Sequence, residues 1–326
     1  MPRLKVRRET WPIRGVFRIS RGERTASEVV VAEVEDGDHR GRGECVPYPR
    51  YGESVAGVVA DIEQLTGAIA GGLDREGLQA TLPAGAARNA LDCALWDLEA
   101  KRRGTSVWRL AGLPEPVALT TAYTISLGAP EEMRDAAREQ AHRPLLKLKL
   151  TGAGDMERVQ AVRGAAPDSR IIADANEAWS PRLFAELSPV LAELGVEMLE
   201  QPLAAGQDTA LSETDHPIPV CADEACHTSH DVPALADRYD LVNVKLDKTG
   251  GLTEAIALVA AAREAGLNVM LGCMVGTSLS IAPAVLLGWA ATYVDLDAPL
   301  LLAEDRPEGL RFEGSVVYPP GRELWG

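Results

Sequence analysis

Lys147 and Lys149 alternate with leucines in the run Leu145-Leu-Lys-Leu-Lys-Leu150. Side chains two residues apart on a strand share one face, about 6 to 7 Å from each other. A parallel strand buried on both faces is apolar throughout, so two ammonium groups here need either a solvated face or polar partners inside. Asp174, Glu200 and Asp223 follow at intervals of 26 and 23 residues, each about one strand–helix unit. Three neighbouring strand ends would then bring three carboxylates toward one point. Singly, each acid reads as a cap or loop residue; together, an oxygen-only set of this kind suits a hard dication such as Mg²⁺. Lys245 lies one unit further on, so Lys149 and Lys245 would flank a molecule held there from opposite sides. Two bases facing each other across a carbon are what a 1,1-proton transfer needs. A proton beside a carboxylate is weakly acidic, and the enolate left by its removal needs nearby positive charge. Lys147 is placed to add to it.

Other polar residues gather at the same strand ends. Asn176 and Glu224 stand beside two of the acids. Asp295 and Asp297, two apart at the end of the last strand, would face the site together and offer two carboxylates to an ammonium group; the alternative is an exposed acidic strand end. Arg24 shares a basic loop with Arg18 and Arg21, where an arginine is ordinarily solvated. Thr124 and Cys273 sit on the rim, where packing explains them equally well.

Eight short apolar runs must position these residues: 118–123, 145–150, 170–174, 196–200, 219–223, 241–246, 268–272 and 292–296. Helical patterns separate them, for example 181–194, with Ser180 suited to the N-cap and Pro181 to the first helical position. Strand, helix, strand at this spacing implies parallel pairing with right-handed crossovers. Eight repeats suffice to close a barrel, and no Gly-rich phosphate loop follows the first strand to favour an open doubly wound sheet. Upstream lies an α+β module over 1–114, with β-rich runs at 27–35 and 39–45 joined by the turn signal Glu35-Asp36-Gly37-Asp38. Its second helix, 84–102, carries Ala90, Leu91, Ala94, Leu95 and Leu98 on one face. The barrel takes 115–300, and 301–326 has no further unit and would return to the first module.

The chain has 326 residues, 46% hydrophobic and 25% charged, which is an ordinary globular composition. Its formal charge of −15 argues against a nucleic acid or an anionic membrane as partner. No apolar run is long enough to span a bilayer and the first residues lack a signal-peptide core, so a cytoplasmic location is expected. Five scattered cysteines do not suggest a disulfide framework, and the spacing of Cys221, Cys226, His227 and His230 matches no common structural zinc site.

The pieces Lys147-Leu-Lys149, Asp174-Ala-Asn176, Glu200-Gln-Pro202, Ala222-Asp-Glu224 and Asn243-Val-Lys245 resemble the enolase superfamily and, within it, the muconate-lactonizing-enzyme subgroup. Arg21-Gly-Glu-Arg24, Gly43-Glu-Cys45, 83–98, Lys245-Leu-Asp-Lys-Thr-Gly-Gly251 and Asp295-Leu-Asp297 make the likeness closest to its bacterial L-Ala-D/L-Glu (dipeptide) epimerases. The resemblance implies a capping α+β domain over a modified (β/α)₇β TIM-like barrel, with one Mg²⁺ per subunit on Asp174, Glu200 and Asp223. It also implies that Lys149 acts on the R-configured α-carbon and Lys245 on the S-configured one. Asp295 and Asp297 would bind the dipeptide's amine, and Arg24 the side-chain carboxylate of its second residue, Glu or Asp. Lys147, Thr124 and Cys273 line up with substrate-contacting positions. The expected reaction is epimerisation of L-Ala-L/D-Glu in cell-wall peptide recycling, with a homo-oligomer compatible with such barrels. Keeping the machinery but changing the substrate gives o-succinylbenzoate synthase, a cycloisomerase or a dipeptide epimerase of other specificity. A non-catalytic metal-binding barrel is the remaining alternative.

Overall fold

Three antiparallel strands, Arg3–Ile19, Gly22–Asp36 and His39–Cys45, open the computed structural model, which describes residues 1–326. The turn read at 35–38 lies where Asp36 pairs with His39, and Gly37 takes the positive φ of 59° that the bend requires. The long helix Ala86–Arg103 crosses this sheet at very close range. A Cβ at Gly41 or Gly43 would fall 2.1 Å from the carbonyl oxygens of Ala94 or Ala90, so only glycine fits beneath the helix. Nearly every residue of the helix is buried because its other side meets the barrel. There Arg88 donates to the carbonyls of Thr249 and Gly250, at 2.7 and 3.2 Å, and Trp96 donates to Thr253 Oγ1 at 3.0 Å. One helix therefore serves both cores.

Eight parallel strands follow in sequential order in a single sheet: Tyr123–Ile125, Leu145–Lys149, Arg170–Asp174, Val196–Glu200, Val220–Ala222, Leu241–Val244, Asn268–Leu271 and Ala291–Val294. The amide of Ala122 donates to the carbonyl of Val294 at 2.7 Å and joins the last strand to the first. Ala122, Leu145, Ile172, Met198, Cys221, Leu241, Met270 and Tyr293, one from each strand segment in turn, pack as an apolar floor. The strands are buried on both faces, which is why they read as continuous apolar runs. Ser180 accepts a hydrogen bond from the amide of Leu183 and caps the helix Pro181–Glu193.

Two elements differ from the sequence reading. The first barrel strand begins at Tyr123, whereas Leu119–Thr120 pairs antiparallel with Val316–Val317 in a separate small sheet. Alternating residues give the same pattern in either partnership, so the run alone does not distinguish them. The connection between the fourth and fifth strands holds no regular helix, only the 3-10 turn Thr209–Ser212. Pro202, Gly206, Pro217 and Pro219 break that segment.

Beyond Val317 the chain reaches the capping module. Arg42 donates to the carbonyls of Glu323 and Leu324, at 2.6 and 2.8 Å, and Trp325 donates to the carbonyl of Cys93 at 3.0 Å. No helix is long and apolar enough to cross a membrane.

Candidate active site

Lys149, Asp174 and Glu200 stand in one row, because strand register pairs Lys149 with Asp174 and Asp174 with Glu200. Asp223 and Lys245 follow the ends of the next two strands. Lys149 therefore lies on one flank of the three acids and Lys245 on the other, four strands apart. Lys149 Nζ donates to Asp174 Oδ2 at 2.6 Å, and Lys245 Nζ to Asp223 Oδ2 at 2.7 Å. Lys147, on the same face as Lys149, lies 2.6 Å from Glu200, 2.7 Å from Asp295 and 3.5 Å from Asp174. The lysine face is thus internal, and almost nothing of it reaches solvent.

These charges hold one another in place. Burial alone would discharge Lys147, but Asp295, Glu200 and Asp174 raise its pKa well above the usual lysine value. The same balance raises Lys245, where Asp223 and Glu200 outweigh burial. Burial pushes Asp174 up, yet Lys149 and Lys147 bring it down to about 2. Asp223 falls well below the ordinary range because Lys245 and Lys248 overcome its burial. Glu200 goes the other way, raised by burial and by Asp174. Each shift has the physical origin expected for buried charges at a few ångströms.

A cation is the group this donor set can accept. Asp174 Oδ1 is fixed by the amide of Asn176 at 2.9 Å, and Glu200 Oε1 by Asn243 Nδ2 at 2.7 Å. Glu200 Oε2 and Asp223 Oδ1 are buried and face only lysine ammoniums, Lys147 at 2.6 Å and Lys248 at 2.7 Å. Oriented, buried carboxylates whose oxygens face cations are the ligands a hard dication takes. The three acids are not already closed around a common point: Lys147 lies between Asp174 and Glu200, and Lys245 between Glu200 and Asp223.

The cavity above is lined by Lys149, Asn176, Asp223, Glu224, Lys245 and Cys273 from the barrel and by Phe17, Arg21, Arg24, Tyr48 and Tyr51 from the capping module. Arg24 makes no ion pair and no hydrogen bond through its side chain, and it lies 5.7 Å from the centre of the Tyr48 ring. Thr124 opens instead onto an adjoining cavity that shares Phe17. Asp295 and Asp297 are buried and do not line the cavity over the lysines. Asp295 Oδ2 faces Lys147, its Oδ1 has no partner, and Asp297 Oδ2 accepts from the amide of Thr124 at 2.6 Å. Burial and the neighbouring Asp295 push Asp297 up to about 7.

Sequence reasoning missed two groups here. Lys248, fully buried, donates to the carbonyls of Asp223 and Asn243 at 2.6 and 2.9 Å. Its position one helical turn after Lys245, on the same side of the turn, was the available signal. Arg21 donates to Glu224 at 2.6 Å across the two modules, a contact that no local spacing announces.

Residues 130–322 match the family model described as Enolase C-terminal domain-like, and residues 1–112 match the Mandelate racemase / muconate lactonizing enzyme, N-terminal domain. The chain belongs to the enolase superfamily. Within that superfamily it is 49% identical to the L-Ala-D/L-Glu epimerase of Escherichia coli K12, over 98% of this chain and all of that one. It is 43% identical to an N-acetyl-D-glutamate racemase of a Pseudoalteromonas species, over 91% of this chain and 95% of the relative. Among solved structures, an enolase family member from Agrobacterium tumefaciens with bound sodium, L-Ala-L-Glu and an ordered loop superposes with a TM-score of 0.98. That pair is 51% identical over the whole of both chains. A dipeptide epimerase from Enterococcus faecalis complexed with Mg and L-Leu-L-Tyr superposes at 0.90, with 28% identity over 97% of this chain and 96% of that one.

Proposed function

We propose that this protein is a Mg²⁺-dependent dipeptide epimerase that interconverts L-Ala-L-Glu and L-Ala-D-Glu. The observation that carries the reading is the placement of Lys149 and Lys245 on opposite flanks of Asp174, Glu200 and Asp223. Asp174, Glu200 and Asp223 are the residues that would hold Mg²⁺, whose positive charge would offset the charge gathering on the substrate carboxylate. In each turnover one of the two lysines, as the neutral amine, takes the α-proton, Lys149 from the R-configured carbon or Lys245 from the S-configured one, and the other, as the ammonium, returns a proton to the opposite face. Lys147, itself buried, stays an ammonium throughout and adds positive charge beside the developing enolate. Asn176 orients Asp174, and Glu224 extends the cavity wall beside Asp223.

Asp295 and Asp297 receive the substrate ammonium, for which the unpartnered Asp295 Oδ1 is an acceptor. Arg24, the cavity arginine without a carboxylate of its own, receives the side-chain carboxylate of the second residue. Thr124 and Cys273 border the bound dipeptide. L-Ala-Glu and N-acetylglutamate are both N-acylated glutamates and differ in the free amine, so the aspartate pair favours the dipeptide. A cytoplasmic enzyme that recycles cell-wall peptides would meet this substrate.

Incubation of L-Ala-L-Glu with enzyme and Mg²⁺ in D₂O, followed by NMR, tests the reading. Deuterium should enter the Glu α-position as the L-D isomer appears; absence of exchange with every dipeptide and N-acylglutamate tried defeats it.

A further inference from the structure

Arg21 and Arg24 lie on one hairpin. The first two strands of the chain turn at Ser20-Arg21, Gly22 takes a φ of 144°, and Arg24 pairs across the hairpin with Phe17. Arg21 spends both guanidinium ends on other elements. Nη2 meets Glu224 at 2.6 Å and the Tyr48 hydroxyl at 3.0 Å, while Nη1 meets the carbonyl of Asn176 at 2.9 Å and Glu177 at 3.3 Å. Ser20 Oγ adds a second donor to the same Asn176 carbonyl at 3.2 Å. Asn176 and Glu177 occupy the loop directly after Asp174, and Glu224 the one directly after Asp223, while Tyr48 belongs to the capping module.

The barrel side of the clasp is built to receive it. Asn176 and Glu177 both hold positive φ, 46° and 67°, which a non-glycine residue keeps only when its surroundings enforce it. Glu177 is fixed by Arg50 through two contacts of 2.8 Å and by the amide of Ala205 at 2.9 Å. Tyr48 carries the connection onward. Its hydroxyl accepts from Arg21, and its ring lies 5.9 Å from the Arg21 guanidinium and 5.7 Å from that of Arg24. Arg24 itself has no other polar tether, so its place over the cavity is set by the hairpin and by Tyr48.

We propose that Arg21 is a positioning residue for substrate selection: by clasping the barrel loops after Asp174 and Asp223, it holds Arg24 where an acidic second residue is recognised. The inference rests on the reading of Arg24 as the receiver of the side-chain carboxylate. Arg18 provides an independent anchor, because its carbonyl accepts from the amide of Leu127 at 3.0 Å and the hairpin stays attached on that side. Loss of Arg21 therefore frees the face of the hairpin that bears Arg24 without undocking it.

The test compares kcat/KM for L-Ala-L-Glu and L-Ala-L-Leu, with Mg²⁺, in wild type, Arg24→Met, Arg21→Met and Arg21→Lys. Arg24→Met should lower the Glu-to-Leu ratio about tenfold or more, the scale of a lost charge-assisted contact. Arg21→Met should lower the ratio in the same direction, mainly through KM for the acidic dipeptide. Arg21→Lys, whose single ammonium cannot reach all four acceptors, should fall between Arg21→Met and wild type. A wild-type ratio in Arg21→Met beside a collapsed ratio in Arg24→Met overturns the inference while sparing the Arg24 reading. Equal losses on both dipeptides in Arg21→Met and Arg21→Lys would show a merely structural arginine and overturn it as well. A wild-type ratio in Arg24→Met refutes the Arg24 reading itself.

Discussion

The Lys147 ammonium lies 2.7 Å from Oδ2 of Asp295, tying the second barrel strand to the eighth across the barrel mouth, and it also meets Glu200 at 2.6 Å. Lys147 is 1% exposed, so the cluster must balance its charge internally. Breaking a buried ion pair by removing one partner costs about 3 to 5 kcal/mol, because the other charge is left uncompensated.

Lys147→Met therefore strips Asp174, Glu200 and Asp295 of a shared counter-ion. The variant should unfold at lower temperature than wild type in EDTA. Mg²⁺ should then raise its melting temperature more than it raises that of wild type, because added positive charge replaces what was lost. Scanning calorimetry of both proteins in EDTA and in excess Mg²⁺ reads this directly. Equal Mg²⁺ shifts in the two proteins would disconnect Lys147 from the three acids.

The two flanking lysines make an asymmetric prediction. Lys149 and Lys245 bond to different carboxylates on different strands, so removal of one leaves the environment of the other in place. Lys149→Ala should lose epimerisation by at least about 10²-fold, the usual scale of a positioned acid–base group, yet still exchange deuterium into the S-configured substrate. Lys245→Ala should show the mirror image with the R-configured substrate. Equal loss of both exchanges in either variant would mark that lysine as structural.

Asp297 gives the acid limb of a pH profile. Burial and Asp295 hold its carboxyl at about 7, so below that pH it is neutral and no longer attracts an ammonium group. For a dipeptide with a free amine, kcat/KM should fall as the pH drops through about 7. Asp297→Asn should be weak at every pH and lack that inflection. An unchanged inflection in the variant would assign it to another group.

Residues on the barrel face were legible because strand chemistry is periodic. Lys147, Lys149, Asp174, Glu200 and Asp223 could be placed from spacing alone, since each parallel strand–helix unit returns the chain to the same mouth. The exchange of Leu119–Thr120 for Tyr123–Ile125 as partner of the barrel escaped, because two-residue alternation does not say which neighbour a strand pairs with. Lys248 and the Arg21–Glu224 clasp escaped for a related reason. The Lys248 partners Asp223 and Asn243 are fixed by how neighbouring barrel strands end, and the clasp by how the modules dock, across the 203 residues between Arg21 and Glu224. Spacing presents Asp295 as a free acceptor, whereas one of its oxygens is engaged by Lys147. Spacing indicates that two groups share a mouth but not which of them neutralise each other.

Asp247 couples this docking to stability. It lies two residues after Lys245, and its Oδ1 accepts from the amide of Val46 at 3.0 Å and from Asn89 Nδ2 at 2.8 Å, both in the capping module. It has no ion-pair partner within 4.0 Å, and burial, reinforced by Glu53 and Glu44, pushes its carboxyl up to about 7. Because the folded value exceeds the ordinary one of about 3.9, the folded protein retains a proton there that the unfolded chain releases. Its contribution to stability is therefore full below about pH 4 and is lost as the pH rises through about 7. Asp247→Asn keeps the oxygen acceptor but removes the titration. Between pH 5 and 8, wild type should lose about 2 to 3 kcal/mol of unfolding free energy relative to the variant. Urea unfolding of both proteins at the two pH values measures the difference, and parallel pH dependence would show that Asp247 is ionised in the folded protein throughout.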